Sequence, residues 1–139
     1  MTFYDIGANF GLFSLVATRI VGPEGAILSF EPLPENYRVL EHNVSLNGFR
    51  NVRCLPIALG ADDGEGRFLV WADRSLGIWG VLAAGQKQRG QRIREITVEV
   101  RRLDSMIGEG EIPPPHVAKM DIDGGEVAAL AGAANMLSV

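Results

Sequence analysis

Three groups of residues have types and spacings that can do chemistry. The first is a glycine turn with an acid ahead of it, Asp5-Ile6-Gly7-Ala8-Asn9-Phe10-Gly11. The second is a lone acid, Glu31, closing the apolar run Ala26-Ile27-Leu28-Ser29-Phe30. The third is Lys119-Met120-Asp121-Ile122-Asp123-Gly124-Gly125-Glu126, which gathers carboxylates at Asp121, Asp123 and Glu126. A glycine at position 7 lets backbone approach a ligand where a Cβ would clash. An acid at a strand end accepts hydrogen bonds from ribose hydroxyls. Neighbouring carboxylates repel, which raises the pKa of one of them. Such a group takes the proton from a substrate hydroxyl, or the set binds a divalent metal that acidifies that hydroxyl. Capping of the helix that follows is the alternative for Asp123 and Glu126, since a helix N-terminus favours negative charge.

The elements that must position these residues follow from the pattern. Thr2 to Ile6 reads as a strand, and Leu12, Leu15, Val16 and Ile20 recur at helical spacing on one apolar face. Gly22-Pro23-Glu24-Gly25 stops that helix. The second strand ends at Glu31, and Pro34 opens a second helix. That helix carries Tyr37, Leu40 and Val44 inward and ends at Asn47-Gly48. Asn36, His42 and Asn43 are expected on its surface. Val52 to Leu59 reads as the third strand and Arg67 to Trp71 as another. Residues 73 to 92 fit no period and read as a loop, with a strand resuming near Ile93 or Arg94 and running to Arg101. Asp104 is expected to cap a short helical turn. Val117 to Ile122 is the fourth core strand, whose alternation puts Asp121 and Asp123 on one side. Glu126 to Leu137 is Ala-rich and helical. Strand and helix alternation means a mostly parallel α/β sheet, with a β-hairpin insertion at residues 66 to 101.

The turn also selects its ligand. A diphosphate-binding turn carries Gly-x-Gly-x-x-Gly, whereas this one spaces its glycines Gly7-x-x-x-Gly11. Asp5 beside it would repel a phosphate. It suits a ligand with an ammonium and no phosphate, and S-adenosylmethionine is such a molecule. Asp5 would bind it directly or through water; capping of the next helix is the alternative. Glu31 would hold the ribose. Ala58 and Leu59, at the end of the third strand, would border the adenine, because ligands gather at the carboxyl ends of strands. His116 falls at the other end of the sheet and is expected to be a loop histidine.

The 139 residues suit one domain. A net charge of −4 excludes general attraction to nucleic acid. No apolar run approaches the roughly 20 residues of a membrane helix. The one cysteine, Cys54, falls in a strand and is expected to be an inert thiol, in keeping with a cytoplasmic protein. Lys87, Arg89, Arg92, Arg94, Arg101 and Arg102 read as a solvated basic face, and Trp79 as sheet packing or an acceptor wall.

Asp-x-Gly-x-Asn-x-Gly with Phe30-Glu31-Pro32 resembles a class I S-adenosylmethionine-dependent methyltransferase. The run from Lys119 to Glu126 is similar to the Lys-Ile-Asp-Val-Glu-Gly-x-Glu signature of the FkbM family, and Leu103-Asp104 resembles the region ahead of it. Asp123 stands where that family often has Glu, and Gly125 where it often has Ala. The resemblance covers about residues 3 to 134. It implies a Rossmann-like sheet of seven strands, of which this chain supplies four core strands, so residues 1–139 are expected to be a partial domain truncated after the fourth. It implies that Asn9, otherwise a left-handed turn residue, faces the amino-acid end of the cofactor. It implies methylation of a hydroxyl oxygen on a sugar or other small natural product. Cofactor contacts are then expected at Asp5, Gly7, Asn9, Gly11, Glu31 and Ala58, and catalytic roles at Asp121, Asp123 and Glu126. The open edge of the fourth strand invites self-association. The competing expectations are a non-catalytic remnant acting as an interaction module, and a NAD-dependent oxidoreductase.

Overall fold

The computed structural model describes residues 1–73, 77–82 and 93–138. A four-stranded parallel sheet carries the candidate residues. Its strands are β1 (Thr2–Ile6), β2 (Ala26–Phe30), β3 (Val52–Leu55) and β8 (Val117–Met120), in the order β3-β2-β1-β8. Tyr4, Ile6, Ile27, Leu28 and Phe30 are buried along β1 and β2, as apolar runs in a parallel sheet require. Tyr4 and Phe30 meet edge to face with ring centroids 5.2 Å apart. His116 lies at the amino end, where its Nδ1 accepts the backbone N–H of Thr2 at 3.0 Å.

The third strand is shorter than expected. Pro56 has no N–H to give to a ladder, and the chain leaves the sheet there. Ala58–Leu59 becomes β4 of a second sheet, with β5 (Gly64–Asp73), β6 (Gly77–Leu82) and β7 (Ile93–Arg101), ordered β4-β7-β5-β6. β5 pairs antiparallel with both β6 and β7, and β4 pairs parallel with β7. The insertion is thus larger than one hairpin. The expected loop over residues 73 to 92 contains β6, which pairs along β5 from Phe68↔Leu82 to Asp73↔Gly77. Lys87, Arg89 and Arg92 and the side chain of Trp79 lie outside the described residues. Arg94 pairs with Glu35 at 2.5 Å, and Arg101 sits among Asp63, Glu109 and Glu111.

Helix α1 (Leu12–Val21) forms where expected, but of its apolar stripe only Leu15 packs against the core. Leu12, Val16 and Ile20 are 68%, 49% and 75% exposed. The buried face is Ser14, Ala17 and Thr18. Small and hydroxylic residues let α1 approach a sheet that presents Asp5 and Ser29 at the contact; polar pairing decides the orientation. In α2 (Pro34–Leu46), Leu40 and Val44 are buried as expected, and His42 is exposed. Asn36 is a correction: it is 4% exposed, not a surface residue.

β8 ends at Met120, two residues early, and Asp123 turns the chain with a left-handed φ of 48°. Helix α4 (Glu126–Ala131) stops at Gly132, whose Cα faces the Gly60 carbonyl so closely that a Cβ would lie 2.0 Å from it. Asp104 sits inside α3 (Leu103–Gly108) and does not cap it. Its carboxylate instead accepts the N–H groups of Asn135 and Met136, at 2.9 and 3.0 Å, pinning the last turn, Met136–Ser138. No helix among the described residues is long and apolar enough to cross a membrane.

Candidate active site

A cavity of about 350 Å³ opens at the carboxyl ends of β1, β2 and β8. That volume lies in the range of small-molecule sites. Gly7, Asn9, Glu31, Ala58, Asp121 and Asp123 all line it. The structure therefore brings together six of the nine residues singled out in the sequence.

Glu31 is the most constrained of them. It is 5% exposed, yet its carboxylate borders the cavity. Oε2 accepts the N–H of Asn9 at 2.8 Å, and Oε1 accepts the N–H of Leu33 at 2.9 Å. The Asn36 side chain also donates to it. Burial pushes the Glu31 pKa above the ordinary carboxylate value; the hydrogen bonds from Leu33, Asn9 and Asn36, and the nearby Lys119 charge, oppose that rise. Each carboxylate oxygen offers two lone-pair positions, so acceptor capacity remains for a ligand.

Gly7 has a left-handed φ of 75°, and a Cβ there would lie 2.0 Å from the Asp121 carbonyl oxygen. The bare backbone is needed first for contact with the end of β8. Asn9 is also left-handed, with φ 53°; its Oδ1 is buried and has no hydrogen-bond partner among the described residues. An orphaned acceptor at a cavity wall fits a ligand that carries an N–H or ammonium donor.

Three expected site residues do not line the cavity. Gly11 has a left-handed φ of 89° at the N-terminus of α1, where a Cβ would meet Leu40 Cδ1 at 2.6 Å. Glu126 folds back at the start of α4, its Oε1 3.4 Å from the Ile122 N–H. Hydrogen bonds from backbone N–H groups, its own first, hold its carboxyl below the ordinary value. The N-cap position of α4 is Gly125, so Glu126 ties the preceding turn to the helix from its first residue. No group of three or more His, Cys, Asp or Glu side chains that could hold a metal occurs among the described residues.

Asp5 is the third. It is fully buried and is not among the residues that line the cavity. Its Oδ2 accepts the Ser14 hydroxyl at 2.6 Å, and Ser29 Oγ lies 2.8 Å from Ser14 Oγ. Lys119 Nζ sits 3.1 Å from Asp5 Oδ1. Lys119 thus pairs with Asp5, not with the acids beyond it in sequence. The repulsion expected of Asp5 toward phosphate is cancelled by this partner. Glu31, Asp121 and Asp123 take over that repulsion: with Lys119 paired to Asp5, these three carboxylates are the remaining charged side chains of the described cavity wall.

The Methyltransferase FkbM domain model matches residues 5–139. The chain belongs to the FkbM methyltransferase family. This FkbM domain is 26% identical to "Methyltransferase 1" of Beauveria bassiana (strain ARSEF 2860), covering 92% of this chain and 56% of that protein. It is 24% identical to the "Hexuronic acid methyltransferase AglP" of Haloferax volcanii, over 96% of this chain and 50% of that one. A shorter match, 44% identical, covers 43% of this chain and 23% of "Methyltransferase sdnD" of Sordaria araneosa. The chain spans about half the length of the first and second of these relatives. Its fold matches the crystal structure of Methyltransferase FkbM from Methylobacillus flagellatus KT with a TM-score of 0.66, at 18% identity, over 99% of this chain and 30% of that one.

Two polar residues outside the nine also border the cavity of the FkbM domain. Asn36 borders the cavity through its place in the first turn of α2, five residues after Glu31. Lys119 borders it from β8, in register with Asp5 across the β1–β8 ladder. A charged residue in each of two adjacent strands is a signal that would have found this pair. Phe10, Leu12 and Phe13 form an apolar wall, and Phe68 adds a side chain from the second sheet.

Proposed function

We propose that this FkbM domain transfers a methyl group from S-adenosylmethionine to an oxygen of a small acceptor, such as a hydroxyl of a sugar or natural product. The observation that carries the reading is Glu31. A carboxylate held by two backbone N–H groups and an amide, at the carboxyl edge of a parallel sheet, is preorganised to accept a pair of ribose hydroxyls. The free Asn9 Oδ1 suits the ammonium of the same ligand. Diphosphate binding has neither the glycine spacing nor a basic wall to support it.

The cofactor, when bound, supplies a methyl already activated on a sulfonium. The protein is left to align, desolvate and accept a proton. Gly7 brings backbone to the ligand. Phe10, Leu12 and Phe13 exclude water from one side. Asp121 and Asp123, which border the cavity beyond β8, are assigned to the acceptor hydroxyl and its proton. The sugar acceptor draws support from the name of the Haloferax relative, and the reaction is placed in the cytoplasm, where Cys54 stays a thiol. Burial pushes that thiol up to about 11, which suits an unreactive role.

Isothermal titration with S-adenosylhomocysteine tests the reading. Wild-type protein is expected to bind in the micromolar range. E31A is expected to bind at least about tenfold more weakly, the cost of one charged hydrogen-bonding partner. Wild-type binding of NAD in preference to S-adenosylhomocysteine would overturn it.

A further inference from the structure

Helix α1 presents an apolar row to solvent, and Val16 and Ile20 in that row have no part in the reading above. Leu12, Phe13, Val16 and Ile20 are 68%, 52%, 49% and 75% exposed. At about 3.6 residues per turn they fall within about 100° of the helix circumference, on one side. Arg19 is the single charged residue of α1 and stands beside the row. The row begins at the cavity, which Leu12 and Phe13 line together with Phe10. From Leu12 to Ile20 it runs about 12 Å along the helix, away from the carboxyl end of β1.

An exposed contiguous apolar surface marks a binding site. We propose that the hydroxyl acceptor carries an apolar chain, which leaves the cavity past Leu12 and Phe13 and lies along Val16 and Ile20. The proposal rests on the methyl-transfer reading above and narrows its acceptor to an amphiphile, with the hydroxyl in the cavity and the hydrocarbon on α1. Continuity carries it: an occupant of the whole row reaches the cavity wall, as part of an acceptor must. A bilayer surface fits less well. Helices that lie on membranes are rich in Lys and Arg along the polar face, whereas α1 has one Arg in a chain of net charge −4. A second copy of the chain also fits less well, because a stable interface takes roughly 800 Å² from each partner, and a single row of side chains offers less.

The test is titration calorimetry of the protein loaded with S-adenosylhomocysteine, using hexyl, octyl and decyl β-D-glucosides below their micelle concentrations. Affinity is expected to rise about twofold per added methylene, half the gain in free energy of full burial, because a chain on a helix surface keeps one side in water. V16Q/I20Q keeps helix propensity, since Gln is a good helix former. It is expected to flatten the series to within threefold and to bind S-adenosylhomocysteine as wild type does. A flat series in wild type, or an equally steep one in V16Q/I20Q, would overturn the proposal and leave the cofactor reading intact. So would a wild-type dimer that V16Q/I20Q returns to monomer in sedimentation. So would wild-type binding to phosphatidylcholine–phosphatidylglycerol vesicles that V16Q/I20Q abolishes, since either result gives the row another occupant. Wild-type protein that does not bind S-adenosylhomocysteine would overturn both readings.

Discussion

Asp5 and Glu31 look alike in the sequence and do different work in the structure. Each is a buried acid near the end of a central parallel strand. The register separates them. Asp5 lies abreast of Ser29 and Lys119 on the neighbouring strands. Glu31 follows Phe30, the partner of Ile6, and so sits level with Gly7. Asp5 is therefore two residues, roughly 6–7 Å, deeper in the sheet. At that depth its neighbours are side chains: Ser14, Lys119 and, through Ser14, Ser29. At the level of Glu31 the strands have ended, and the neighbours are backbone N–H groups and the cavity. Depth along the strand, more than residue type, decides whether an acid pairs with side chains inside the fold or faces the cavity.

The comparison breaks most directly at Asp5. D5A strands the Lys119 ammonium and the Ser14 hydroxyl, and is expected to cost about 3–5 kcal/mol in denaturant unfolding. E31A should cost much less stability and far more ligand affinity. A D5A protein as stable as wild type would mean that Asp5 is not the brace. G7A sharpens the picture of the crowded β1–β8 end. Its left-handed backbone and the 2.0 Å approach to the Asp121 carbonyl are expected to cost about 2–4 kcal/mol by the same measurement. S14A, which removes the hydroxyl between Asp5 and Ser29, is expected to cost about 1–3 kcal/mol.

The pH dependence separates the two acids further. Glu31 has a folded-state pKa raised above its ordinary 4.5, chiefly by burial. The folded chain therefore holds that proton more tightly than the unfolded chain. The Glu31 contribution to stability is full below pH 4.5 and is lost as pH rises through the folded value. Unfolding curves of E31Q should lack that downward step. A wild-type step of the opposite sign, absent from E31Q, would contradict it. The smallest effect is expected on α1. I20S removes an exposed apolar side chain and should change stability by no more than about 0.5 kcal/mol; a loss of several times that amount would show that the stripe is packed.

The glycine turn, the order of strands and helices and the acid at position 31 were legible because each has a local cause. Gly7 and Asn9 need left-handed backbone, and Pro34 suits a helix start. The orientation of α1 was not legible. Apolar periodicity marked Leu12, Leu15, Val16 and Ile20 as one face, of which only Leu15 packs inward, while a non-local partner, the buried Asp5 carboxylate, drew in Ser14. Asn36 was hidden for the same reason: its hydrogen bond goes to Glu31, which lies on another element. β6 escaped because its pairing partner, β5, is what makes a short glycine-containing run extended.

A structure of the chain bound to S-adenosylhomocysteine tests the central claim most directly. The account predicts ribose hydroxyls within hydrogen-bonding distance of both Glu31 oxygens, and no ligand atom in contact with Asp5. A nucleoside seated away from Glu31, or a ligand ammonium bonded to the Asp5 carboxylate, would contradict it.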